Sequence, residues 1–418
     1  MKLNYGKTFL LGLGFFGVSV IWSVYNAYVP IFLKDRFFMA TGFIGMFMTL
    51  DNIAALFIQP AVGAYSDRLR TRIGRRMPFI IASAPIAAIS FALMPMTASM
   101  FVFFLAALFL LLSMAVWRTP IIALMPDITP SKYRSQANGI INLMGGLGAI
   151  IAYFVGAKLY DMSPDYPFWL GAGLVLLSAL LVFIFIKEPK TYEEIEQEQP
   201  QLFKSLGNIL HEKDKSALLI LLAILFWFIS YSGIEAFFTL YAKEYLGFPA
   251  SDGARLLGQL SLLFVIFALP AGYLGAAIGR RKTIMTGIVL MAIGIFSTYA
   301  LSISTLTTVV TKLPVLGNVP IIGLILMGIG IAWALININS LPMVVDMTDE
   351  AHNGTFTGLY YLFSTLAAII GPIMYGWVVQ LSGNQYNLLM LVSPIFLVAA
   401  FAAMSFVRRG EAKISLPD

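Results

Sequence analysis

The chain has 418 residues, 59% of them hydrophobic and only 11% charged, against about 25% charged in an average soluble domain. A soluble fold this apolar could not cover its own surface, so composition excludes a soluble enzyme, a disordered chain and a nucleic-acid binder. The 27 Lys and Arg against 21 Asp and Glu fit cytoplasmic loops of a membrane protein. The absence of cysteine excludes disulfides, thiolate nucleophiles and Cys-ligated metals, and the two histidines, His211 and His352, are expected in polar loops.

A transmembrane helix needs about 20 mostly apolar residues. Twelve such runs are predicted, at 8–33, 41–65, 79–97, 99–125, 136–159, 167–187, 217–242, 253–278, 283–304, 319–345, 354–381 and 386–407. The first follows Lys2 and Lys7, is long and lacks a cleavage-site pattern, so it is expected to be retained rather than removed as a signal peptide. With both termini placed in the cytoplasm, 20 Lys and Arg fall on inside segments and six outside. The positive-inside bias therefore predicts N-in, C-in.

Residues 188–216 are polar and mixed in charge. They divide the chain into a bundle at 1–187, a cytoplasmic linker at 188–216 and a second bundle at 217–418. Within the linker, Leu202 to Leu210 reads either as a short amphipathic surface helix or as plain solvated chain. The expected fold is an all-α integral membrane protein, twelve helices in two pseudo-symmetric six-helix bundles.

The halves repeat. Gln59-Pro60-Ala61-Val62-Gly63 ends the second span and Leu269-Pro270-Ala271-Gly272 ends the eighth. Gly74-Arg75-Arg76 follows the first and Gly279-Arg280-Arg281-Lys282 the second. Asp127-Ile128-Thr129 leads to Gly139 at the same spacing as Asp346-Met347-Thr348 leads to Gly358. Such a repeat implies a site between halves that can rock around it.

The run Gly63-Ala-Tyr-Ser-Asp67-Arg68-Leu-Arg-Thr-Arg72-Ile-Gly74-Arg75-Arg76 resembles the signature loop of the major facilitator superfamily. From Gln59 to Ile80, with Ala123-Leu124-x-x-Asp127 and Ala137-Asn138-x-Ile140, the pattern resembles the sucrose-transporter-like family, plant sucrose symporters and their animal and bacterial relatives. The superfamily resemblance covers the whole chain and the narrower one about residues 59–150. It implies a conformational latch of Gly63, Asp67, Arg68, Arg72, Gly74, Arg75, Arg76, Asp127 and Arg134. In physical terms, Asp67 sits where a helix N-terminus and several guanidinium groups can meet it; the bland alternative is a basic anchor at the headgroups. The second copy has Ala276 where the first has Asp67, so its latch is expected to be weaker.

Three charges fall clearly inside spans: Asp51, Arg118 and Glu235. Each is costly in hydrocarbon and needs a partner or a cavity. Asp51 lies about 24 Å and Arg118 about 13 Å from the cytoplasmic helix ends, at 1.5 Å per residue, so a direct pair between them is not expected without helix tilt. Asp51 and Glu235 are the candidates for carrying a coupling cation. The plant symporters' fourth-helix acid is Leu111 here and their Arg before the Ala-Leu pair is Ile122. An acid in the second helix resembles the melibiose-type symporters, so the coupling ion is H⁺ or Na⁺, with no other cofactor and no metal site.

Arg118 and Asn337 each stand nine residues before a loop Asp, and Asn26 and Glu235 differ by 209, as Gly63 and Gly272 do. Trp22 and Asn26 share a face of the first helix, and Trp227, Tyr231 and Glu235 a face of the seventh. With Tyr25 and Asn142 these form the expected substrate-binding set, aromatic faces and hydrogen-bonding groups that suit a sugar; interhelical packing is the alternative for each aromatic. Gly145-Gly146-x-Gly148 and Gly371-Pro372 read as close-packing sites or kinks. The fifth span lacks the Gly-Pro element of drug antiporters, and no phosphate-binding Gly-x-x-x-x-Gly-Lys-Ser/Thr run is present. The expected function is cation-coupled symport of a di- or oligosaccharide or glycoside by a monomer in the cell inner membrane, with lipid and the small-molecule cargo as its partners. A drug or metabolite exporter and a non-transporting sensor are the rival readings.

Overall fold

A computed structural model describes residues 5–129, 133–188, 202–314, 316–348 and 353–411. Residues 189–201 of the linker and His352 therefore lie outside the described residues, as does the Arg134 side chain. In chain order the helices are α1 Tyr5–Asp35, α2 Thr41–Phe47, α3 Leu50–Arg68, α4 Met77–Leu93, α5 Met100–Ile128, α6 Arg134–Met162, α7 Tyr166–Phe185 and α8 Leu202–His211. They continue as α9 Ser216–Glu244, α10 Ala250–Ile278, α11 Arg280–Ala300, α12 Ile303–Thr307, α13 Ile321–Val345, α14 Asn353–Leu381 and α15 Leu388–Ser405. Among the described residues twelve spans are long and apolar enough to cross a membrane, α2 and α3 together making the second.

Three features depart from the sequence reading. His211 is the last residue of α8 rather than part of a loop. The connection before α13 holds a small antiparallel hairpin of β1 Val309–Leu313 and β2 Gly317–Pro320. The second span is broken at Met48 and Thr49, so Asp51 lies in the first turn of α3 rather than mid-helix.

By internal packing the chain forms two units. One comprises Met1–Ala40, Phe47–Ile195 and Phe248–Gly258; the other Thr41–Met46, Glu196–Gly247 and Gln259–Asp418. Inside the first unit α1 packs on α6 and α7, and α4 on α5 and α7. Inside the second α9 packs on α14 and α15, and α11 on α13 and α15. These are the same pairings one repeat apart. The close approaches repeat too: Gly63 faces the Thr119 methyl and Gly272 a methyl of Ile338.

Helices that are apolar all round bury themselves among other helices. From Val20 to Leu33 in α1 every residue is buried except Trp22 and Asn26. Contact between α1 and α6 depends on small residues. A Cβ on Gly148 would lie 2.5 Å from the Phe16 carbonyl oxygen, and one on Gly145 3.1 Å from Ser19 Oγ. Backbone cannot yield as a side-chain tip can, so Gly148→Ala should cost about 1–3 kcal/mol from overpacking. Gly173→Ala, where a Cβ meets nothing within 4 Å, is the control. Thermal unfolding of the two purified variants should show a clear loss for the first and none for the second; equal behaviour would contradict the packing account.

Candidate functional site

At one end of the first unit the α3–α4 loop turns through Gly74, whose φ of +114° few side chains adopt. The loop delivers Arg75 and Arg76 to Asp127 in the last turn of α5. Arg75 grips that carboxylate with both Nη2 (2.6 Å) and Nε (3.3 Å), and Arg76 Nε adds a bond of 3.1 Å. The Arg76 guanidinium also donates to Asp67 Oδ1 and Ser66 Oγ, joining the ends of α3 and α5 to the start of α4. Such paired, planar bonds are the strong class of hydrogen bond.

The Asp67 carboxylate is thus held by the Arg76 guanidinium, while the Arg70 guanidinium donates to the Asp67 backbone carbonyl. The helix N-terminus expected beside it is occupied by Glu188, just past α7. The Glu188 carboxylate accepts from the backbone N–H of Arg75 (2.9 Å), Arg76 (3.0 Å) and Met77 (2.7 Å), where a helix start leaves donors unsatisfied. A Cβ at Gly74 would collide with that carboxylate. Arg68 and Arg72 are exposed and form no ion pair among the described residues.

The second unit builds the same device. Gly279 has φ +98°, and Glu411, just past α15, accepts from the N–H of Arg280 (2.7 Å) and Arg281 (3.0 Å). Arg280 donates to Asp346, the repeat of Asp127. Arg281 donates to the Met404 and Ser405 carbonyls, so nothing replaces the Arg76–Asp67 link.

Within the first unit, Asp51 accepts from the Asn52 side-chain amide at 2.9 Å and has no ion pair among the described residues. Arg118 lies close enough to act on it electrostatically, despite their different depths in sequence, and Asp51 acts in turn on Tyr25. The Tyr25 ring is 1% exposed, meets Trp22 edge-on at 5.5 Å, and its hydroxyl has no hydrogen-bond partner among the described residues. Asn142 is exposed and donates to the Asn138 carbonyl of its own helix, which does not set it toward the others.

Within the second unit, Tyr231 on α9 stacks on Trp333 of α13 with centroids 4.0 Å apart and planes 6° from parallel. Phe228 meets Trp333 edge-on at 5.2 Å, and Tyr360 bonds Ser340 Oγ at 3.1 Å. Glu235 and Asn337 are both half-buried, each four residues beyond one ring of the stack. Trp227 is fully buried, so it does not share the partly open setting of Tyr231 and Glu235. Trp22 and Asn26 map by the 209-residue offset onto Tyr231 and Glu235. The half-buried polar stripe thus recurs at the same place in both repeats.

Sequence reasoning missed Glu188, Glu411, Trp333 and Tyr360. The first two carried a usable signal, an acid just beyond the sixth and the twelfth apolar runs. Trp333 stands four residues before Asn337, where a helix shares a face, but nothing in sequence marks which ring it meets.

The profile of the family described as MFS/sugar transport protein matches residues 10–390. The chain belongs to that family. It is a multi-pass membrane transporter and not an enzyme. The class E tetracycline resistance protein of Escherichia coli is 22% identical over 349 residues, 82% of this chain and 80% of that one. The isoprimeverose transporter of Lactiplantibacillus pentosus is 24% identical over 311 residues, 69% of this chain and 63% of that one. Among solved structures, a nucleoside transporter NupG variant superposes with a TM-score of 0.75 at 17% identity, over 96% of this chain and 100% of that one. A bacterial homologue of the human lysosomal transporter Spinster gives 0.75 at 13% identity, over 96% of each chain.

The two capping carboxylates make a paired prediction. Removing a helix-start acceptor costs about 0.5–2 kcal/mol. Glu188→Ala strands three N–H groups and Glu411→Ala two. Thermal unfolding should fall in both, more in Glu188→Ala; no loss in either would contradict the capping role.

Proposed function

We propose that this transporter couples the uptake of a sugar or glycoside to a cation, H⁺ or Na⁺, by alternately exposing its binding groups on the two sides of the membrane. Asp51 is the cation-coupling acid, with Glu235 as the second candidate. Trp22, Tyr25, Asn26, Arg118, Tyr231 and Asn337 contribute to cargo binding, and Trp333 joins them as the partner of the Tyr231 ring. Trp227 and Asn142 stand outside this reading, the one sealed in the core and the other bonded to its own helix. The latch around Arg76 holds one closed state. Both termini face the cytoplasm, on the positive-inside bias, and the protein works as a monomer in the cell inner membrane.

The observation that carries the reading is Asp51 itself. A carboxylate inside a membrane span is costly and is retained where it has work to do. Asp51 is held by a neutral amide rather than neutralised by an ion pair, which leaves it available to take up and release a cation. The first turn of a helix, where it sits, favours its negative charge between those events. The family description and the name of the isoprimeverose relative support a sugar as cargo. The tetracycline and multidrug resistance relatives favour the second reading, export of an amphiphile.

Two substitutions test the proposal in proteoliposomes. Asp51→Asn should abolish accumulation against a gradient while leaving exchange of cargo, since an amide neither binds a proton nor replaces a carboxylate toward Na⁺; full accumulation by the variant would remove Asp51 from coupling. Arg118→Ala should weaken binding of a neutral sugar by about tenfold or more, from the loss of a bond to a charged donor worth roughly 1.5–3 kcal/mol. Unchanged or tighter binding of a cationic drug by the same variant, with sugars unaffected, would favour export.

A further inference from the structure

The β1–β2 hairpin has no part in the proposed function, yet the second unit holds it firmly in one place. α11 starts just after the Gly279 turn, so α12 and the hairpin follow its opposite end. All of them belong to the second unit, as does α10 from Gln259 onward. The base of the hairpin closes through the Ile321 N–H, which donates to the Thr308 carbonyl at 3.0 Å. Gln259 is fully buried, and its side-chain amide donates to the Leu316 carbonyl at 3.3 Å and the Asn318 carbonyl at 3.2 Å. Val319 of β2 is fully buried as well. β2 is thus bolted to the helices, and β1 is held on the outside.

Every residue of β1 is exposed. Val309 is 50%, Val310 56% and Leu313 41% exposed. Successive strand residues point to opposite sides, so apolar groups stand on both faces. In water such an edge would invite pairing with another chain, and a lysine on the edge is a common way to block it. Lys312 is that lysine, exposed and with no ion pair among the described residues. Its place argues against a second copy of the chain as the occupant. Apolar side chains around a cation suit the layer where acyl chains meet lipid phosphate, because a lysine stem lies along apolar surface while its ammonium reaches out. The unpaired backbone edge of β1 fits the same depth, since water is present among headgroups and absent in hydrocarbon. The chain also leads there. Val289, Ile293 and Phe296 are exposed at helical spacing on α11, the face a span turns to lipid, and Ile303 of α12 is 40% exposed just before β1.

We propose that the hairpin is a membrane-surface anchor, with Val309, Val310 and Leu313 seated in the interfacial layer of the bilayer and Lys312 Nζ against the phosphate of an anionic lipid. Through Gln259 and the start of α13 it ties two spans of the second unit to the membrane surface. The inference goes beyond the proposed function, because it holds for any cargo and either coupling ion. Its test needs no transport.

The chain has no cysteine, so Val310→Cys carries a single nitroxide label. In vesicles of phosphatidylcholine and phosphatidylglycerol, the label should collide more often with oxygen than with a water-soluble nickel chelate. More frequent collision with the chelate would overturn the inference. Adding Lys312→Gln should lower the oxygen-to-nickel ratio about two- to fivefold, the weight one lysine carries near an anionic surface. The same substitution should change the ratio much less in phosphatidylcholine alone. An undiminished ratio in the anionic vesicles would overturn the inference. So would spin–spin broadening that vanishes on dilution with unlabelled protein, which would assign the strand to a second copy. Thermal unfolding separates a displaced hairpin from loss of fold, and if Val310→Cys does not accumulate, Val309→Cys carries the same test with the same outcomes.

Discussion

Hydrocarbon offers no hydrogen bonds, and every structural choice in this chain answers to that. Backbone polar groups inside a bilayer must be satisfied by the protein, which restricts the spans to helices. Near the helix prolines, neighbouring helices add side-chain bonds to the backbone: Asn339 donates to the Ala271 carbonyl beside Pro270, and the Thr119 hydroxyl lies 3.5 Å from the Gln59 carbonyl beside Pro60. Polar side chains obey the same rule less completely. Asp51 and Arg118, charged groups inside the spans that form no ion pair among the described residues, are the ones to which function is assigned.

The scaffold is symmetric and its chemistry is not. Helix pairings, the positive-φ glycines and the capping carboxylates repeat, yet Asp67 becomes Ala276, Arg118 becomes Asn337 and Trp22 becomes Tyr231. A symmetric frame gives two closed states of similar architecture. On the proposed reading, asymmetric polar groups would make those states differ in charge and hydrogen bonding, as a coupled cycle requires, because a ligand shifts an equilibrium only by its difference in affinity for the two states.

Sequence and structure agree where one residue type has one physical answer. Apolar run length placed the twelve spans, and the resemblance to the signature loop put Arg75, Arg76 and Asp127 in one group, residues that meet at the end of α5. Agreement fails where the answer depends on which helices touch. The Tyr231–Trp333 stack joins residues 102 apart, and no periodicity along either helix reveals that pairing. Asp51 read as mid-helix because Met48 and Thr49 are ordinary residues for a span, so the break after α2 carries no local signal. The hairpin before α13 was hidden for a related reason: its β-branched strand lies in a stretch too short to distinguish from loop.

The central claim is that the polar groups kept inside the membrane serve a neutral, hydroxyl-rich cargo and one cation. Uptake by the unaltered protein in proteoliposomes, over a panel of glycosides and cationic amphiphiles, with imposed H⁺ and Na⁺ gradients applied separately, tests it most directly. The account predicts that at least one glycoside is concentrated, that one of the two gradients drives this, and that the amphiphiles are not. Gradient-driven expulsion of a cationic amphiphile with no glycoside moved would contradict it.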